Sequence, residues 1–220
     1  MSFHEVEFAD NPEPRCPCVL LLDTSGSMGG DKLDRLNEGL RLFQEQLTKD
    51  ALAAQRVEVA VVEFNSEVTV LQDFVTADNF APPVLTAKGL THIGTAIHTA
   101  LDMVQARKQL YKQNGIQYYR PWVFLVTDGE PQGEADSIVE QATQRLKVEE
   151  DAKRVAFFAV GVEGANLEKL ATISIRQPIK LQGLNFKEMF VWLSSSMQQV
   201  SNSHLGDQVP LAPPSGWGSV

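Results

Sequence analysis

The stretch Val19–Gly30 reads VLLLDTSGSMGG, an apolar run that leads into an aspartate, two serines and a pair of glycines. A short apolar run bounded by turn residues predicts a strand that is buried on both faces of a sheet. In open α/β folds, ligands bind at the carboxyl ends of such strands. We therefore expect Asp23, Ser25 and Ser27 to lie together in a crevice at that edge. Their carboxylate and hydroxyl oxygens suit Mg²⁺ or another hard divalent cation.

The same residue types are also common in a plain turn or at the start of a helix, so this loop alone leaves both interpretations open. Two further stretches favour a binding site. Gly89–Thr95 (GLTHIGT) opens a second helical pattern, and Pro121–Pro131 (PWVFLVTDGEP) contains a second buried strand that ends in Asp and Gly.

Together the three stretches resemble the von Willebrand factor type A (VWA) domain. In that family a D-x-S-x-S loop, a distant Thr and a distant Asp form a metal-ion-dependent adhesion site. The resemblance assigns this site to Asp23, Ser25 and Ser27 in the first loop, Thr91 in the second and Asp128 in the third. It implies Mg²⁺ as the bound ion, or Mn²⁺ or Ca²⁺ in its place. It also implies a partner protein whose Asp or Glu side chain completes the shell of the ion.

The order of the elements predicts an α/β fold. Apolar strands alternate with amphipathic helices, which is typical of right-handed βαβ units and a parallel sheet covered on both faces. The resemblance covers roughly residues 16–200. It implies a three-layer, doubly wound, Rossmann-like sheet of six mostly parallel strands in the order 3-2-1-4-5-6, with strand 3 antiparallel.

The flanking segments are interpreted separately from the VWA domain at 16–200. We expect residues 1–15 to be an N-terminal extension with a short edge strand at Val6–Phe8, and residues 201–220 to be a flexible tail rich in Pro and Gly. Trp217 is unusual in such a tail. We hypothesise that it anchors the tail on a partner or on a neighbouring copy, while docking on its own domain and idle disorder remain the alternatives.

Composition narrows the classes of function. The chain has 220 residues and a net charge of −9, which argues against non-specific binding to nucleic acid and to anionic membranes. It has no apolar run long enough to cross a bilayer and no signal-peptide pattern at its start, so we expect a cytoplasmic protein. In that compartment Cys16 and Cys18 are expected to be reduced packing residues.

Enzyme motifs do not fit the first loop. Phosphatases of the haloacid-dehalogenase type need a D-x-D pair, and Ser25 stands where the second acid belongs. The G-x-S-x-G elbow and the P-loop spacing are also absent from the sequence. We therefore expect a protein that is not an enzyme, and the alternative is a metal-dependent phosphatase-like hydrolase.

Within the family, the chain resembles the small stand-alone bacterial members associated with tellurium-resistance and stress-response gene sets. That resemblance rests on the near-terminal position of Asp23, the single domain and the short tail. It implies an adaptor in signalling, with a protein phosphatase or a protein kinase as its partner.

Overall fold

A mostly parallel sheet forms the centre of the computed structural model, which describes residues 8 and 10–219. Within these residues the sheet has seven strands: β1 (Cys16–Asp23), β2 (Val57–Phe64), β3 (Val68–Thr76), β4 (Trp122–Thr127), β5 (Ala156–Gly161), β6 (Ile179–Leu181) and β7 (Gly218–Ser219). Their spatial order is 3-2-1-4-5-6-7, and only β3 and β7 are antiparallel to their neighbours. The predicted α/β class and the predicted order of the first six strands are confirmed.

Helices cover both faces of this sheet. The described helices are α1 (Asp31–Leu47), α2 (Ala51–Arg56), α3 (Ile93–Gln113), α4 (Asp136–Asp151), α5 (Leu167–Ile173) and α6 (Phe186–Asn202), with a 3-10 turn at Gly26–Met28. α1 and α6 pack together on one face, and α3 and α4 pack together on the other. The molecule therefore has the three predicted layers, with one hydrophobic core on each side of the sheet.

The central strand β1 explains why the first apolar run in the sequence is unbroken. All eight of its residues are buried. Leu20 and Leu22 face the core beneath α1 and α6, whereas Val19 and Leu21 face the core beneath α3. Because successive side chains of a strand point to opposite faces, both sets must be apolar when both faces are covered. The strand ends at Asp23, which is thereby held at the carboxyl edge.

The C-terminal tail differs from its prediction. Trp217 is only 2% exposed and its ring centroid lies 5.3 Å from that of Trp192 on α6. Trp192 Nε1 donates to the carbonyl of Ala212 at 2.7 Å, and Gln182 N donates to the carbonyl of Trp217 at 2.8 Å. The next two residues form β7 beside β6. The structure thus shows the alternative in which the tail docks on its own domain, where burial of a large indole offsets the entropy of ordering the segment.

Three smaller features complete the description. Cys16 and Cys18 are free thiols in the core, as predicted, and burial raises the pKa of Cys16 to about 12. The short helix α2 was not predicted, although Asp50 caps it by accepting hydrogen bonds from Leu52 N and Ala53 N. The edge strand predicted at 6–8 lies outside the described residues except for Phe8, whose ring is buried.

None of the helices in the described residues combines the length and the apolar character that a bilayer span requires.

Candidate metal site

The candidate site is built where β1 and β4 end side by side. The two strands are paired up to Leu22 and Val126, so the loops that follow them leave the sheet at neighbouring points of the same edge. Asp23 is the last residue of β1, and Asp128 comes directly after β4. Parallel pairing thus brings together two carboxylates that lie far apart in the sequence.

A continuous set of hydrogen bonds joins the first loop to the third. Ser25 N donates to Asp23 Oδ1 at 2.7 Å, which folds the loop back on the end of its own strand. The hydroxyl oxygens of Ser25 and Ser27 lie 3.1 Å apart. Ser27 Oγ in turn donates to Asp128 Oδ1 at 2.8 Å.

Thr91 reaches the same place from the loop before α3. Two backbone hydrogen bonds with Gln132, of 3.2 and 2.9 Å, hold it against the loop that follows β4. Its Oγ1 lies 3.4 Å from the point that a Cβ would occupy on Gly129, and Asp23 Oδ2 lies 3.8 Å from that same point. All five residues predicted for the site therefore converge at one edge of the sheet.

Gly89 explains how the second loop can approach so closely. Its φ is +69°, which is in the left-handed region that favours glycine. A Cβ there would lie 2.5 Å from Ser66 Oγ. Its carbonyl accepts from Gly26 N at 3.0 Å, so the second loop is tied directly to the first.

Two further polar side chains contact the acids at this edge and were not predicted from the sequence. Thr127 Oγ1 donates to Asp23 Oδ2 at 2.5 Å and accepts from Gly129 N at 3.1 Å. Lys32 Nζ donates to Asp128 Oδ2 at 2.5 Å and to the carbonyl of Ser27 at 3.3 Å. Thr127 can be identified only when the end of β4 is known. Lys32 can be identified only when the direction of α1 is known, because that direction determines where its long side chain reaches.

The electrostatics of the two carboxylates differ. Burial raises the pKa of Asp23, hydrogen bonds from Ser25 and Thr127 lower it, and the nearby charge of Asp128 raises it. The side chain of Asp128 is 1% exposed and is paired with Lys32, which is 23% exposed. The edge therefore carries two close acids whose charge is offset by one lysine from within the chain.

The donor set fits a hard divalent cation. Carboxylate and hydroxyl oxygens are the ligands that Mg²⁺ and Mn²⁺ prefer, and here they converge from three loops. Among the described residues there is no cluster of three or more His, Cys, Asp and Glu side chains suited to a metal. A cation at this edge would therefore depend on the hydroxyls of Ser25, Ser27 and Thr91 as well as on the two acids.

Comparison with solved structures supports the fold. The "von Willebrand factor type A" structure from Catenulispora acidiphila superposes with a TM-score of 0.67 at 17% identity, over 84% of this chain and 43% of that one. The pilus adhesin SpaC from Lactobacillus rhamnosus GG gives a TM-score of 0.66 at 13% identity, over 84% and 31%. The vWF domain of the type V pili tip protein Mfa5 from Porphyromonas gingivalis gives 0.64 at 10% identity, over 89% and 99%.

At these identities the likeness concerns the fold alone, and the chain spans less than half the length of the first two structures. No curated protein matches the sequence. The sequence model of the von Willebrand factor type A domain, however, matches residues 18–188, which include most of β1, all of β2 to β6 and all five residues of the candidate site. The chain therefore belongs to the von Willebrand factor type A domain family.

Proposed function

We propose that this chain is a metal-ion-dependent protein-binding module, and that it acts as an adaptor in a bacterial stress-response or signalling system. The observation that carries the proposal is the convergence of Asp23, Ser25, Ser27, Thr91 and Asp128 at one edge of the sheet. A divalent cation bound there, most simply Mg²⁺ or Mn²⁺, would offer an open coordination position to a carboxylate oxygen of a partner.

The residues of the edge favour this use over hydrolysis. Asp23 accepts hydrogen bonds on both carboxylate oxygens, and Asp128 is engaged by Ser27 and Lys32. Neither acid is left as a free base, and Ser25 occupies the position where a D-x-D phosphatase would need its second acid. The edge therefore offers ligands for an ion, and an ion held there would bind a carboxylate of a partner protein. We propose that this site binds a partner without catalysis.

The partner that fits is a protein with an exposed Asp or Glu side chain. Two of the similar structures are described as a pilus adhesin and a pili tip protein, which is consistent with an interaction role for this fold. For this chain we propose a cytoplasmic signalling partner, which is a protein phosphatase or a protein kinase. This choice follows from the resemblance of the sequence to the bacterial VWA proteins associated with tellurium-resistance and stress-response gene sets.

Capture of partners with the purified chain tests the proposal. The bait is compared in Mg²⁺ and in excess EDTA, together with Thr91→Ala and with the control Thr76→Ala. Thr76 is buried like Thr91 but lies at the opposite end of the sheet, because it pairs with Glu58 near the start of β2. We expect a partner that is captured in Mg²⁺ by the wild type and the control, and that is lost in EDTA and with Thr91→Ala. A partner retained equally in all four conditions would contradict the proposal.

A further inference from the structure

A cavity of about 970 Å³ opens at the edge of the sheet opposite to the candidate metal site. It lies where β4 and β5 begin, and its other walls are the C-terminal half of α3 and tail residues 203–211. Because β4 and β5 are parallel, their first residues are separated from the metal edge by the full length of the strands. Whatever the cavity binds is thus separate from the metal.

The cavity is strongly basic, although the chain as a whole is acidic at −9. Among the described residues that line it, Asp207 is the single acid. The basic residues of the lining, which we call the basic cluster, are Lys108, Lys112, Arg120, Lys153, Arg154 and Arg176. Such a concentration of one sign of charge within concave walls focuses the field and attracts ions of the opposite sign.

Half of the basic cluster is neutralised or held by the protein itself. Arg154 pairs with Glu149 at 2.9 Å, and Arg176 pairs with Glu150. Arg120 donates to the carbonyls of Val155 and Glu150.

The three lysines of the basic cluster are different. Across residues 8 and 10–219, the ammonium groups of Lys108, Lys112 and Lys153 have neither an ion-pair partner nor a hydrogen-bond partner. Half of the cluster is therefore available to a ligand.

Lys108 is the most enclosed of the three lysines. The residue is only 7% exposed, whereas Lys112 and Lys153 are exposed, and it lines the cavity. Burial lowers its pKa, the charge of Glu149 raises it, and the charges of Lys112 and Arg154 lower it again. Its ammonium keeps contact with solvent in the cavity, where these like charges repel one another. An anion that enters the cavity would offset that repulsion.

We propose that this cavity binds a small molecule with two or more phosphate groups. Several cations converge here from α3 and from the starts of β4 and β5. This arrangement suits a ligand with several anionic oxygens better than a ligand with a single anionic oxygen. The volume is at the upper end of the range for ligand pockets, about 300–1,000 Å³, and exceeds the needs of a single phosphate. Tyr118 also lines the cavity, and its aromatic ring suits contact with a planar base. Pyrophosphate and a nucleoside diphosphate or triphosphate share this chemistry.

Titration calorimetry in excess EDTA tests the proposal without any contribution from the metal edge. Pyrophosphate, ATP and inorganic phosphate are the probes, at constant ionic strength. The variants are Lys108→Met and Lys112→Gln, and Lys49→Gln is the control because Lys49 is exposed and lies outside the cavity. We expect pyrophosphate or ATP to bind the wild type and the control, inorganic phosphate to bind at least tenfold more weakly, and both cavity variants to lose about tenfold or more in affinity. Tighter binding of ATP than of pyrophosphate would assign the site to a nucleotide, and equal binding would assign it to the diphosphate group alone.

The melting temperature of the ligand-free variants separates this role from a structural one. Lys108→Met should melt at a higher temperature than the wild type, because it removes one of several neighbouring positive charges and keeps the bulk of the side chain. The proposal is overturned if neither probe binds the wild type, or if both cavity variants bind as tightly as the control. A lower melting temperature for Lys108→Met with unchanged binding in Lys112→Gln would also overturn it, because the lysine would then be structural.

Discussion

Lys32 places a positive charge at the metal edge that the sequence motif does not predict. Its ammonium lies 2.5 Å from Asp128 Oδ2, so one acid of the site already has a cation beside it. The D-x-S-x-S spacing carries no information about this contact, because it depends on the reach of a long side chain from the first turn of α1. An internal cation of this kind lowers the repulsion between Asp23 and Asp128 and opposes the arrival of a second positive charge.

Replacement of Lys32 by methionine should therefore tighten metal binding. We expect the affinity for Mn²⁺ to rise about tenfold, which corresponds to about 1.4 kcal/mol. The same variant should melt at a lower temperature than the wild type in EDTA, because the two acids then face each other without compensation. Calorimetry and thermal melts measure the two effects. Weaker binding of Mn²⁺ by the variant would instead show that Lys32 helps to hold the site in its binding geometry.

At the scale of elements, a buried ionic cluster fixes α3 to the sheet. Glu58 on β2 is fully buried and accepts hydrogen bonds from Arg15 Nε at 2.9 Å, from Arg107 at 2.8 and 2.9 Å, and from the hydroxyl of Tyr111. Three chain segments meet at this one carboxylate: the residue before β1, the start of β2, and α3. It lies at the start of β2, far from the metal edge, so its contribution is to stability.

Glu58→Gln should destabilise the fold strongly, since it removes the buried negative charge that accepts hydrogen bonds from Arg15 and Arg107. We expect a loss of about 3–5 kcal/mol in the free energy of unfolding, measured by urea denaturation. Glu140→Gln on the exposed face of α4 is the matched control and should change stability by less than about 0.5 kcal/mol. A small effect at Glu58, comparable to that of the control, would mean that the guanidinium groups find other partners.

The contribution of Trp217 to the docking of the tail can be tested by mutation. Trp217→Ala should release the segment around β7, because the indole provides most of its apolar contact, and limited proteolysis should then cut within residues 203–216. Trp217→Phe is the control. Within the described part of the chain the indole Nε1 has no hydrogen-bond partner, so phenylalanine keeps the ring contact and loses none of the described hydrogen bonds. If the alanine variant resists protease as well as the wild type, then the tail is held by its backbone hydrogen bonds alone.

Elements were predictable from the sequence in proportion to their length and periodicity. The apolar positions of α1 at Leu33, Leu36, Leu40, Phe43 and Leu47 follow helical spacing, and all of them are buried. The strand β7 is two residues long, and two residues carry no periodic signal. Its formation depends on the docking of Trp217 against α6, which is a tertiary contact and is invisible in a local pattern.

At the scale of the whole molecule, the sheet separates two surfaces of opposite character. The edge at Asp23 and Asp128 gathers oxygen ligands, and the edge at Lys108 gathers unpaired ammonium groups. The first was predictable because its residues follow strands in a family pattern. The second was not, because its lysines come from α3 and from a turn before β5, and only the folded chain brings them together. The tail that forms one wall of the cavity was itself predicted to be flexible.

Titration of Mg²⁺ and Mn²⁺ into the purified chain measures whether the carboxyl edge binds a metal ion. Wild type, Ser27→Ala and the control Ser137→Ala are compared, since Ser137 is an exposed serine on α4 away from the site. We predict saturable binding of a single ion to the wild type and the control, and a loss of about tenfold or more in affinity with Ser27→Ala. Absence of binding to the wild type, or equal affinity in all three proteins, would rule out a metal site formed by these residues.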